Sequence, residues 1–282
     1  MFERTTGLLL AVSLAGAAGT AFAETPLERG AYLVGTVMTC HNCHTPIGPA
    51  GPDMSKALTG GTVLFDEPAF RVRGSNLTPD REHGIGAWSD AELKTALREG
   101  VRPNGVPLAP IMPTGFYGVL TPSDTDAIVA YLRSLPPSSN RVEAPVYRAA
   151  VEREVMPGAE RPTDPARFAD KVELGRYLVT IAHCLECHTP RVDGRLNFAA
   201  AGAGGQEFRG PWGVSVAPNI SSHPQKGLGG WSDAEIRRAL TEGLSRDGRK
   251  LKPPMGYGFY AKMTPADVDA VVAYLRTLPP RE

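Results

Sequence analysis

Apolar residues along the chain gather in short clusters at helical spacing, separated by long polar stretches rich in Gly and Pro. No segment of convincing length alternates with period two, so helices and loops are expected and strands are not. Leu93, Ala96 and Leu97 fall on one helical face. The helix that carries them is expected to start at Ser89, where Ser-x-x-Glu92 spells a capping box, and to stop at Gly100. The same pattern returns with Ile236, Ala239 and Leu240 between Ser232, Glu235 and Gly243. A later helix is predicted from Thr121-Pro122, with Asp124 completing the cap, to Pro136; its counterpart runs from Thr264-Pro265, with Asp267, to Pro279. First helices are expected over roughly Pro26–Val37 and Pro165–Ile181. At the N-terminus, an apolar run from Leu8 to about Ala18 precedes Ala21-Phe22-Ala23, the layout of an export signal cleaved after Ala23.

These duplications belong to a repeat of the whole chain. Glu28-Arg-Gly30-Ala-Tyr32 returns as Glu173-Leu-Gly175-Arg-Tyr177, and Trp88-Ser-Asp-Ala-Glu returns 143 positions on at Trp231. The same displacement carries Asn76 to Asn219, Phe116-Tyr117 to Phe259-Tyr260, and Ala130-Tyr-Leu-Arg133 to Ala273-Tyr-Leu-Arg276. Matches that keep their order over such a length mark one domain present twice. The expected organisation is a signal over 1–23, a first domain over 24–137, a linker over 138–164 rich in Pro and charge, and a second domain over 165–282.

Composition narrows the function. Among 282 residues, 30 basic side chains balance 30 acidic ones, which leaves no basic excess for nucleic acid. After the signal, no apolar stretch is long enough to span a membrane. With 31 Gly and 26 Pro, much of each half must be loop, and three or four short helices make a thin core. Something else should fill the centre. All four Cys fall in two copies of one motif, Cys40-His41-Asn42-Cys43-His44 and Cys184-Leu185-Glu186-Cys187-His188. C-x-x-C-H is the attachment signature of c-type haem, two thiols for the vinyl groups and a His for the iron. A Cys₄ zinc site or a redox dithiol would not require the His, and 144 residues between the motifs is long for a zinc ribbon.

A second axial ligand is expected from Met, the soft partner of His in electron-transfer cytochromes. Of seven Met, only Met112 and Met255 coincide when the halves are superposed, each two residues after a Pro in the loop before the last helix. The expected sets are Cys40, Cys43, His44 and Met112 for one haem c, and Cys184, Cys187, His188 and Met255 for the other.

On these motifs the chain resembles tandem class I cytochrome c domains. Asn76-Leu-Thr-Pro-Asp80, Gly84-Ile-Gly-Ala-Trp88-Ser and the tracts before Met112 are similar to the cytochrome subunits of bacterial membrane-associated alcohol and gluconate dehydrogenases. The resemblance implies an all-α fold of short helices and long loops around covalently bound haem. It also implies a periplasmic carrier that takes electrons from a dehydrogenase and delivers them to a cytochrome, oxidase or quinone system, with no catalysis of its own. The chain differs from the larger members in having two haem motifs rather than three. The alternative is a dihaem enzyme such as a cytochrome c peroxidase or a thiosulfate dehydrogenase. The first needs an iron position that can open, and the familiar form of the second needs a spare Cys.

Supporting residues can be read as well. The resemblance implies that Gly30 and Gly175 pack where the first and last helices cross, against Tyr131 and Tyr274. Trp88 and Trp231 could reach haem propionates or pack in the core, and Asn76 and Asn219 could donate to propionates or build turns. The loop Arg246-Asp-Gly-Arg249-Lys250-Leu-Lys252 is basic where its counterpart has only Arg102; it either docks an acidic partner or is a solvated face.

Overall fold

The computed structural model describes residues 24–48, 51–210 and 212–282; the expected export signal lies outside the described residues. Helix α1, Pro26–Tyr32, starts at a capping box: the Thr25 hydroxyl accepts from the Glu28 amide while the Glu28 carboxylate accepts from the Thr25 amide. It runs on as a π turn over Leu33–Val37. Helix α2, Asp90–Glu99, has the expected Ser89–Glu92 box and ends at Gly100, whose φ of 73° suits a residue without Cβ. Helix α3 spans Pro122–Ser134. The second half repeats the order with α4 (Lys171–Ile181), α5 (Asp233–Glu242) and α6 (Pro265–Leu275). The helix expected from Pro165 divides at Asp170, because Pro165–Ala169 forms its own 3₁₀ turn and the Asp170 carboxylate caps α4. No helix among the described residues is long and apolar enough to cross a membrane.

Each half also contains a hairpin that helical patterning did not anticipate. Strands β1 (Leu64–Glu67) and β2 (Phe70–Arg73) pair antiparallel, as do β4 (Glu207–Gly210) and β5 (Gly213–Val216), with β3 (Val146–Tyr147) added to β2. Phe70 and Val72 are buried while Arg71 and Arg73 are partly exposed, so the period of two is present but lasts only four residues. A run so short falls below what a sequence pattern can distinguish from a loop.

The first and last helices of each half cross at Gly30 and Gly175, as expected. A Cβ on Gly175 would sit 1.9 Å from the Ala270 carbonyl oxygen and 2.8 Å from Tyr274 Cβ; on Gly30 it would meet the Ala127 oxygen at 2.1 Å. The halves then meet about an approximate two-fold. Tyr32 donates to Asp267 Oδ2 at 2.5 Å, and its counterpart Tyr177 donates to Asp124 Oδ2 at 2.5 Å. Tyr117 packs edge-on against His183 at 6.4 Å between ring centroids, and Phe259 of the second half stacks on His41 at 6.0 Å. One apolar core therefore runs through both halves, from Leu33, Val34 and Phe116 to Tyr177, Leu178 and Tyr260. Arg29 breaks the symmetry: it grips Asp124 with bonds of 2.8 and 3.0 Å, while Leu174 occupies the matching position.

Segment 138–164, expected as a linker, is an ordered strap. Tyr147 pairs with Phe70 and donates to the Pro107 carbonyl, Arg153 donates to the carbonyls of Arg98 and Thr114, and Met156 N donates to Gly115 O at 3.1 Å. Ala159 is completely buried.

Close packing at the helix crossing makes Gly175→Ala costly, because the atom in the way is backbone and cannot swing aside. A loss of about 3 kcal/mol or more is expected in denaturant unfolding of the intact protein. An unchanged midpoint would show that the helices do not pack this closely.

Candidate cofactor site

The motif Cys40–His44 follows α1 directly, and Cys184–His188 follows α4. In both, the residue before the first Cys takes a left-handed conformation, φ 48° at Thr39 and φ 44° at His183, which turns the chain sharply off the helix. One helical turn then carries the two Cys and the His, closed by His44 N to Cys40 O at 2.9 Å and His188 N to Cys184 O at 3.0 Å.

Each His ring is fixed by one bond. His44 Nδ1 lies 2.7 Å from the Ser75 carbonyl oxygen, and His188 Nδ1 lies 2.7 Å from that of Pro218. A carbonyl can only accept, so Nδ1 carries the proton and Nε2 presents its lone pair. This is the preparation seen in metal-ligating His, with the other ring nitrogen held by a backbone oxygen. Burial holds both imidazoles below their usual pKa, which keeps them neutral. Burial also pushes the thiols of Cys40, Cys43 and Cys184 up to about 12. Burial, with Glu186, Cys184 and Cys43 nearby, also raises the thiol of Cys187 well above its usual value.

Cys40, Cys43, His44 and Met112 line one large cleft of about 2620 Å³, together with Ile85, Trp88, Leu93, Leu97, Ile128 and Leu132. That volume far exceeds a drug-sized pocket of about 300–1,000 Å³. Cys187 and Met255 line the same cleft, and Cys40, Met112, Cys184 and Met255 all lie partly buried against the shared core. The cleft thus brings the first predicted set together with Cys187 and Met255 of the second. Of the other methionines among the described residues, Met38 and Met263 are buried in the core, Met156 packs partly buried against it and Met54 is exposed.

The asparagines are committed within the protein. Asn76 Oδ1 accepts from Thr78 N, and Nδ2 donates to Ser138 O at 2.8 Å; Asn219 does the same with Ser221 N and Arg281 O at 2.7 Å. Their turn reading holds, and their amides are spent on backbone rather than left for propionates. Trp88 lines the cleft while packing beside Ile85, Leu93 and Val129. Sequence reasoning missed what positions these tryptophans. Arg133 donates to the carbonyls of Ile85 and Trp88, and Arg276 donates to those of Leu228 and Trp231. Both arginines stood inside the repeat, which was the available signal. The basic loop is largely engaged at home: Arg246 pairs with Glu235, and Lys250 donates to the Glu242 carbonyl and lies over the Tyr257 ring. That favours the solvated-face reading of this loop.

A family model described as cytochrome c matches residues 172–279. The chain is 33% identical over 297 residues to the fructose dehydrogenase cytochrome subunit of Gluconobacter japonicus, covering 98% of this chain and 58% of that protein. It is 30% identical to the gluconate 2-dehydrogenase cytochrome c subunit of Pantoea cypripedii, covering 77% of this chain and 51% of the other. The chain thus spans little more than half the length of these dehydrogenase subunits. Against the diheme cytochrome c-type protein of Cereibacter sphaeroides, identity is 32% over 98% of this chain and 97% of the relative.

His41, beside the first motif, yields a pH prediction. Its ring is 3% exposed, bonds Thr45 Oγ1 at 2.8 Å and stacks on Phe259. Burial, then the charges of Lys262 and His44, lower its pKa from 6.5 to about 4. Between those values the unfolded chain binds a proton that the native chain does not. The contribution of neutral His41 is therefore full above the unfolded pKa and declines as pH falls toward about 4. In unfolding measured against pH, His41→Gln should show a shallower acid loss than the wild type; identical slopes would contradict a neutral buried ring.

Proposed function

The chain belongs to the c-type cytochromes, and from that membership we propose that it is an exported electron carrier with two covalently attached haem c groups in tandem class I cytochrome c domains. The observation that carries this reading is the paired bond from His Nδ1 to a backbone carbonyl, repeated directly after each C-x-x-C. Cys40 and Cys43 would hold one haem by thioether links, with His44 and Met112 bonding its iron. Cys184 and Cys187 would hold the other, with His188 and Met255.

Bound there, the haem supplies reversible one-electron exchange between ferric and ferrous iron. The chain's own residues do the rest. Ser75 and Pro218 keep each imidazole in the tautomer that offers Nε2. The strap braces the Met112 loop through Arg153, while Ser215 and Lys252 tie the Met255 loop to β5. Leu93, Leu97, Ile128 and Leu132 exclude water from the first crevice, and the shared core fixes the spacing of the two attachment motifs. The partners are a dehydrogenase that donates electrons and a respiratory acceptor, and the compartment is the periplasm. Relatives named as cytochrome subunits of fructose and gluconate dehydrogenases support this placement, and with both Met loops present a non-catalytic role fits better than a dihaem enzyme.

Thioether ligation raises the reduction potential of His-ligated haem. Met112→Ala and Met255→Ala should therefore each lower one of two resolved redox steps and leave the other near its wild-type value. Each should also remove part of the far-red charge-transfer absorption of the oxidised protein. Two variants with wild-type potentials and spectra would refute the ligand assignment.

A further inference from the structure

The two Met loops are braced differently. Ala109-Pro110-Ile111-Met112 closes on itself, with Met112 N donating to Ala109 O at 2.9 Å. The strap then lies over the residues that follow. A Cβ on Gly115 would sit 1.7 Å from the Glu154 carbonyl oxygen, and one on Gly118 would sit 2.1 Å from the Ala159 oxygen. Met156 N donates to Gly115 O at 3.1 Å and Arg153 donates to Thr114 O at 3.0 Å. The matching turn in Lys252-Pro253-Pro254-Met255 is looser, at 3.4 Å from Met255 N to Lys252 O. Pro253 and Pro254 have no N–H to donate, so hydrogen bonds can tie them down only through their carbonyls, and each carbonyl needs a donor from elsewhere.

Those donors come from different halves. Ser215 Oγ of the second half donates to Pro253 O at 2.7 Å. Asn42 Nδ2 of the first half, between Cys40 and Cys43, donates to Pro254 O at 3.4 Å. That bond is long, but the packing around it is close. A Cβ on Gly256 would sit 3.2 Å from Thr39 Cγ2 and 3.3 Å from Asn42 Nδ2, and Phe259 stacks on His41 with an interplanar angle of 14°. The residues on either side of Met255 therefore rest on the first attachment turn. The bond has no mirror image. Glu186 takes the place of Asn42 in the second motif, and a carboxylate accepts where an amide donates, so it cannot hold a loop carbonyl. Its oxygen lies 3.0 Å from His183 Nδ1 instead.

We propose that Asn42 is a positioning residue for the Met ligand of the other half: the turn carrying Cys40 and Cys43 seats the Met255 loop and keeps it in place for the second iron. Met ligation in the second half then depends on the first half, whereas Met112 is held by the strap and is independent of Asn42. The proposal rests on the reading of Met255 as an iron ligand.

Displacement of Met by imidazole in the oxidised, haem-loaded protein tests it. In Met112→Ala, the far-red charge-transfer absorption that remains reports Met255 alone. Adding Asn42→Leu, similar in size but without a donor, should make imidazole remove that absorption several-fold faster. Gly256→Ala presses on the same contact from the loop side, at a φ of −83° that alanine accepts, and should act in the same direction. In the otherwise wild-type chain, each variant should lower the redox step that Met255→Ala lowers and leave the other in place. Displacement at the parent rate in both variants would overturn the proposal. So would an equal shift of both redox steps, which would show that Asn42 serves only the fold of its own half. Loss of all far-red absorption in Met112→Ala would instead overturn the ligand reading itself, and this proposal with it.

Discussion

A backbone carbonyl gripping the Nδ1 hydrogen of a histidine is the constraint on which the rest of the site depends. It sets the tautomer of His44 and of His188 and aims Nε2 away from the chain that bears it. The partner carbonyls, Ser75 and Pro218, lie about thirty residues further on, so the intervening loop must return to a defined place. Asn76 and Asn219 secure that return by clasping the segment after the last helix. A left-handed residue before each motif and a glycine at each helix crossing serve the same end. They let a loop-rich chain present four thiols and two imidazoles in fixed positions.

The second constraint is reciprocal. Each half lends an aspartate from the cap of its last helix to a tyrosine on the first helix of the other, and each lends an aromatic residue from beside its Met loop to the other's motif. Burying these bonds strengthens them and makes their loss expensive. A small domain with its own thin core is marginal, and joining two around one core raises the share of apolar surface removed from water.

Much of this was legible in the sequence because local chemistry dictated it. Ser89, Ser232, Thr121 and Thr264 announce helix starts whose caps form as written, and Gly30 and Gly175 mark crossings that tolerate no Cβ. C-x-x-C-H marks the two places where a single turn carries two Cys and a His. What escaped depends on contacts distant in sequence. Strands of four residues offer too little alternation, and a strap rich in Pro and charge looks like any linker until its carbonyls find Gly115 and Gly118. Asn76 could not be assigned between a propionate and a turn without knowing where Ser138 lies. The roles of Arg133 and Arg276 needed the carbonyls they reach.

The intact mass of the exported, denatured protein tests the central claim most directly, because thioether links survive denaturation. Two haem masses added to the chain lacking residues 1–23 are expected, falling to one when Cys184 and Cys187 are both replaced by Ser. A wild-type chain carrying one haem or none would contradict it.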